Sequence, residues 1–157
     1  MQTHRPSAAH ERLDVLLGEW RGTETLHPSP MTPDGGAAAA HVLNEWAMDG
    51  LAVLQHYEQA REGGVNFRGL GVMRFDGNAP VGEQYVMHWY DSLDLGPSEF
   101  RGDFDGDTLV LSQQATHGYL RAVWDWHEAN RYRYRMDASP DGIAWFPVLS
   151  GEYSRVE

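Results

Sequence analysis

The sequence predicts an all-β protein: a closed antiparallel, up-and-down β-barrel of about ten strands with a short N-terminal helix at one mouth. Three observations predict it. Turn signals recur at strand-length intervals, at Asp49-Gly50, Gly63-Gly64, Asp76-Gly77, Asp105-Gly106 and Asp141-Gly142, with no helical periodicity between them. The 17 glycines, six tryptophans and seven tyrosines suit twisted strands joined by tight turns. The first and last strands can also pair with each other, which would remove the edges of the sheet.

A chain of 157 residues fits one domain with a substantial core. The absence of cysteine excludes disulfides and thiolate metal sites and suits a reducing compartment. Met1 to Leu17 carries no apolar run of signal-peptide length, and no later stretch is long enough to span a bilayer. The expected location is therefore the cytoplasm. Twelve basic residues against 23 acidic ones give a formal charge of −11, which excludes nucleic acid and anionic membranes as partners.

Residues 1–6 read as a loose terminus. Ser7 caps a helix over 7–17 whose Leu13, Leu16 and Leu17 form one apolar stripe, with Gly18 just beyond it. So short a helix must dock, and a barrel mouth is where it would. Strand one runs from Glu19 to Leu26. The segment 27–37, with three prolines and two adjacent glycines, reads as a flexible loop able to act as a lid.

Hairpin registers can be derived because a one-residue slip turns every side chain to the other face. A turn at Asp49-Gly50 sets Trp46 against Val53, Asn44 against Gln55 and Val42 against Tyr57. Phe67, Gly69, Gly71, Met73 and Phe75 share one face of strand four, where the glycines leave space. In strand five, Glu83 to Asp91, one face holds Tyr85, Met87, Trp89 and Asp91 and the other holds His88. A turn at Asp105-Gly106 opposes Phe100 to Leu111 and Gly102 to Leu109. A three-residue loop, Glu128-Ala129-Asn130, opposes Trp126 to Tyr132, Trp124 to Tyr134, Asp125 to Arg133 and Arg121 to Asp137. The last strand, Ala144 to Arg155, returns to strand one.

The series of residues now resembles a known group. Leu17-Gly18-Glu19-Trp20-Arg21-Gly22 is similar to the Gly-x-Trp opening of calycin-type barrels, the superfamily of lipocalins and fatty-acid-binding proteins. Together with Met48-Asp49-Gly50, Phe67 to Gly71, Tyr85 to Ser92, Arg121 to Trp124, Ser139 to Gly142 and Gly151-Glu152-Tyr153, it resembles bacterial domain-of-unknown-function family 1579 over nearly the whole chain. The resemblance implies a lipocalin-like barrel without a settled activity. It also implies that an arginine near the last strand, here Arg155, packs over the opening Trp20 in a structural cation–π contact of roughly 0.5–2 kcal/mol. Nitrobindins share a ten-stranded barrel and a similar start, and hold haem through a histidine on a late strand. The last strand here has no histidine, so haem is not expected and no cofactor is assigned.

The function read from these residues is the binding of a small hydrophobic or aromatic ligand inside the barrel. The expected lining is Trp46, Tyr57, Phe67, Tyr85, Trp89, Phe100, Trp124 and Tyr134, with Asn44, Gln55 and Asp91 as polar hooks. An enzyme of the same fold would do acid–base chemistry with Asp91 or His88. No metal site is expected, because no two of the eight histidines have a recognised ligand spacing; His41 and His56 share a hairpin face with Glu45 and Glu58. Arg131, Arg133 and Arg135 read as a solvated face paired with Asp125. A barrel that self-associates, as a homodimer, is the remaining alternative, with an exposed tryptophan such as Trp145 at the interface.

Overall fold

Side chains of period two, inward apolar and outward polar, lay the chain out as a meander closed on itself. The computed structural model describes residues 1–30 and 32–157. A helical turn, α1 (Ala8–Glu11), runs into a 3₁₀ helix (Arg12–Leu16). Ten strands follow: β1 (Gly18–Leu26), β2 (Gly36–Ala47), β3 (Ala52–Arg61), β4 (Gly64–Phe75), β5 (Tyr85–Asp91), β6 (Ser98–Asp105), β7 (Thr108–Ala115), β8 (Gly118–Glu128), β9 (Arg131–Ser139) and β10 (Phe146–Arg155). Each pairs antiparallel with its neighbour in sequence, and β1 pairs with β10 to close the barrel. The predicted fold class is the observed one. No helix among the described residues is long and apolar enough to cross a membrane.

The expected helix over 7–17 is real but changes type after Glu11. A 3₁₀ segment brings residues three apart onto one line, and Leu13 and Leu16, both 1% exposed, use that alignment to enter the barrel together. Leu17 is already extended. Of the expected loop over 27–37, Met31 lies outside the described residues, and β2 already begins at Gly36.

Two registers hold with different connections. Trp46 pairs with Val53, Asn44 with Gln55 and Val42 with Tyr57, as derived, but the last pair is Ala47 with Ala52. The connection is thus four residues long, and Met48, Asp49 and Gly50 all take positive φ. In the β8–β9 hairpin Trp126 faces Tyr132 and Trp124 faces Tyr134, again as derived. There the loop proper is only Ala129-Asn130, because Glu128 pairs with Arg131 and a bulge falls between Trp126 and Glu128.

The β6–β7 register differs by two residues from expectation. Gly102, not Phe100, faces Leu111, and Phe104 faces Leu109. The turn is Gly106-Asp107, with Gly106 at φ 60° in the first loop position, where a type II′ hairpin takes its glycine. That choice also explains Gly102. A Cβ there would lie 1.8 Å from the Val110 carbonyl oxygen, so no other residue fits the pairing.

The helix closes the barrel end at which β1 begins. Trp20, 0% exposed, donates its indole N–H to the Leu16 carbonyl at 2.9 Å, and the Asn44 amide donates to the same oxygen at 2.8 Å. Tyr85 donates to Ala9 at 2.7 Å, and the Arg12 guanidinium sits 4.5 Å from the Phe104 ring centre. The Arg155 guanidinium lies 4.2 Å from the Trp20 ring and donates to Leu17 and Ala129. The contact implied by the family resemblance is present. Behind this plug lies a buried core that includes Val42, Val53, Met73, Met87, Phe100, Leu109, Leu111 and Trp124.

Candidate functional site

At the opposite end, where β1 stops and β2 starts, the described residues form no helix. There the inward-facing Tyr57, Phe67, Trp89, Leu120, Tyr134 and Met136 are only partly buried. The interior has two zones, a filled half under the helix and an aromatic half, the open half, whose rim no helix among the described residues covers.

This division sorts the expected lining. Tyr57, Phe67, Trp89 and Tyr134 meet in the open half, where Tyr57 lies 6.0 Å from Phe67 and 6.1 Å from Trp89, centre to centre. Tyr85, Phe100 and Trp124 are buried in the filled half at 6%, 3% and 3% exposure. Trp46 ends β2 at the helix side and is 37% exposed, so it lines no lumen. Asn44 is committed to the helix, whereas Gln55 is buried at the boundary, across from Gly71. The glycines of β4 do not leave the space expected of them. A Cβ on Gly69 would fall 2.1 Å from the Trp89 ring, and one on Gly71 would fall 3.3 Å from it. They seat the indole flat against the wall.

Asp91 holds that indole in place. Its Oδ2 accepts from Trp89 Nε1 at 2.9 Å, and its Oδ1 accepts from the Leu93 amide at 3.0 Å. Both oxygens are thus engaged at the strand end. His88 lies on the outer face of β5, 4.0 Å from Glu99, so Asp91 and His88 cannot share a reacting group. His41, His56 and His127 also point outward, each toward a carboxylate of Glu19, Glu45 or Asp125. Among the described residues no three His, Cys, Asp or Glu side chains are arranged to hold a metal ion.

One polar group in the lumen was not among the candidates. Glu24 is 2% exposed on the inner face of β1. Its Oε1 accepts from the Tyr57 hydroxyl at 2.7 Å and the Gln59 amide at 3.2 Å, and its Oε2 accepts from the Tyr153 hydroxyl at 2.6 Å. Gly22 and Gly151 make the last contact possible, because a Cβ on either would strike the Tyr153 ring, at 2.5 and 2.9 Å. Burial, reinforced by the Glu24 carboxylate, pushes the Tyr57 and Tyr153 hydroxyls well above the ordinary tyrosine range. They stay hydrogen-bond donors. The signal was in the sequence: Trp20, Gly22, Glu24 and Leu26 alternate, so Glu24 shares the face of Trp20.

The outer wall also carries a concave strip of about 520 Å³ across β8, β9, β10 and β1, bordered by Thr23, Asp125, Arg133, Arg135, Ser150 and Glu152. The arginines of β9 pair differently from expectation. Arg133 meets Glu152 at 3.3 Å, Arg135 meets Asp137 at 2.9 Å and Arg131 meets Glu128 at 3.9 Å, while Asp125 turns to His127. Trp145, expected at an interface, is half-buried with the Arg121 guanidinium 4.1 Å from its ring.

Comparison with known proteins agrees with this architecture. The family model DUF1579, described as a protein of unknown function, matches residues 5–155. No curated protein matches the sequence. Among solved structures, the crystal structure of Rv2717c from M. tuberculosis superposes with a TM-score of 0.69 at 13% identity, covering 98% of this chain and 100% of that one. The S-type phycobiliprotein lyase CPES from Guillardia theta superposes with a TM-score of 0.62 at 11% identity, covering 97% and 99%. At such identities the likeness is one of fold.

Proposed function

The chain belongs to the DUF1579 family, and from that premise we propose that it is a small-molecule-binding barrel whose ligand, largely apolar or aromatic, occupies the open half of the lumen. The observation that carries this reading is the gathering of Tyr57, Phe67, Trp89 and Tyr134, four inward-facing and partly buried rings, in the half of the barrel away from the helix. A pocket of aromatic walls with a few fixed polar groups suits a small organic molecule. The structural likeness supports it to this extent: a protein named a phycobiliprotein lyase shares this fold. The ligand needs no cofactor in this reading, and the cysteine-free chain would work in the cytoplasm.

Binding would follow from removing apolar surface from water against Trp89 and its neighbours, with the helix-side core as a rigid floor. The test is titration with the neutral fluorophore N-phenyl-1-naphthylamine. It should brighten at a 1:1 stoichiometry, and Trp89→Leu should weaken its binding by about fivefold, the worth of one aromatic contact. No brightening, or brightening untouched by the substitution, would sink the reading.

A further inference from the structure

We propose that the lumen selects a ligand carrying a protonated nitrogen, an amine or basic heterocycle on an apolar body, and that the Glu24 carboxylate receives that nitrogen. This deepens the reading of the open half as a ligand site and rests on it. Among the described residues, the charged side chains on the inner face of the open half are Glu24, Asp91 and, at the rim, Arg61. Arg61 donates to the Gly35 carbonyl at 3.1 Å, and both oxygens of Asp91 are engaged. Glu24 differs from both in its burial, at 2% exposure where Asp91 and Arg61 are only partly buried.

Three groups donate to Glu24: the Tyr57 hydroxyl, the Tyr153 hydroxyl and the Gln59 amide. Tyr57 lies within reach of both oxygens, at 2.7 and 3.0 Å, but has one proton to give. Three hydrogens thus serve a carboxylate with about four acceptor positions. All three donors are neutral. Buried carboxylates are ordinarily matched by a cation, since hydrogen bonds from neutral groups offset only part of the desolvation cost. Tyr57, whose hydroxyl meets Glu24, lies 6.0 Å from Phe67 and 6.1 Å from Trp89, centre to centre, and the negative face of an aromatic ring also attracts a cation. A ligand carboxylate at Glu24 would meet a like charge and the same rings, while Arg61 stands at the rim on the Gly35 carbonyl, so this position disfavours anions.

Three probes with one naphthalene body separate the cases: 1-naphthylmethylamine, 1-naphthalenemethanol and 1-naphthoate, titrated calorimetrically at neutral pH into the full-length protein. The amine should bind at least about tenfold more tightly than the alcohol, the range for a hydrogen bond to a charged group, and the naphthoate most weakly. In Glu24→Gln the amine should fall to the level of the alcohol, while the alcohol shifts by less than about twofold. The preference in the unaltered protein decides the matter even if that variant fails to fold. An alcohol that binds as tightly as the amine, or an amine preference that survives Glu24→Gln, overturns this inference and leaves the apolar-ligand reading standing. If none of the three binds, both fall together.

Discussion

Gly69 and Trp89 depend on each other at the level of single atoms. The indole occupies the position of a Cβ on Gly69, and its N–H is tied to Asp91, so it cannot swing aside freely. Gly69→Ala should therefore cost about 1–3 kcal/mol, the range for overpacking, and should shift the Trp89 emission; urea unfolding followed by tryptophan fluorescence checks both. A glycine at an inner position reads equally as vacant space or as a seat for a neighbour's ring. Sequence does not separate the two, because the answer lies in the χ angles of Trp89. Glu24 is the opposite case. Its position on the inner face follows directly from the alternation in β1, but its role follows only once Tyr57, Gln59 and Tyr153 are seen to converge on it from β3 and β10.

At the scale of elements, polarity sorting finds the face of a strand but not its exact partner. The β6–β7 pair demonstrates this. A slip of two residues leaves Phe100, Gly102 and Phe104 on the inner side, so either register sorts equally well, and only the turn geometry at Gly106 decides. The β8–β9 pair was legible because opposite charges and paired aromatics matched at one register alone. The β9–β10 connection has a pH dependence of its own. Asp141 accepts from the amides of Ile143 and Ala144 at 2.8 and 2.9 Å and from the Ser139 hydroxyl, and these bonds hold its carboxyl below the ordinary 3.8. A depressed value in the fold means that the turn is supported above the ordinary aspartate value and loses that support as pH falls through the depressed one. The amide resonances of Ile143 and Ala144 should titrate together with a midpoint below 3.8. Asp141→Ala should abolish that titration.

For the whole molecule, closure and polarity pattern were readable, whereas the division into a helix-capped half and an aromatic, uncapped half was not. The division depends on where the helix docks and on the rotamers of Trp46, Trp124 and Tyr134, which no periodicity specifies. The interior tyrosines give the assembled barrel a measurable signature in alkali. Burial, first of all, raises Tyr57, Tyr132, Tyr134 and Tyr153 well above the ordinary 10.0. Their contribution to stability is complete below that value and declines as pH climbs beyond it, since the unfolded chain then releases protons that the native barrel keeps. Tyrosinate absorbance from these four should thus appear only together with loss of near-ultraviolet dichroism. The β1–β10 seam carries a consequence in time. Trp20 lies opposite Arg155, so β1 finds its second partner only when β10, the last strand of the barrel, has been made. Until then the sheet has two raw margins, and the final register is a late, long-range event of the slow kind. The closing seam sets when the protein becomes safe from its neighbours.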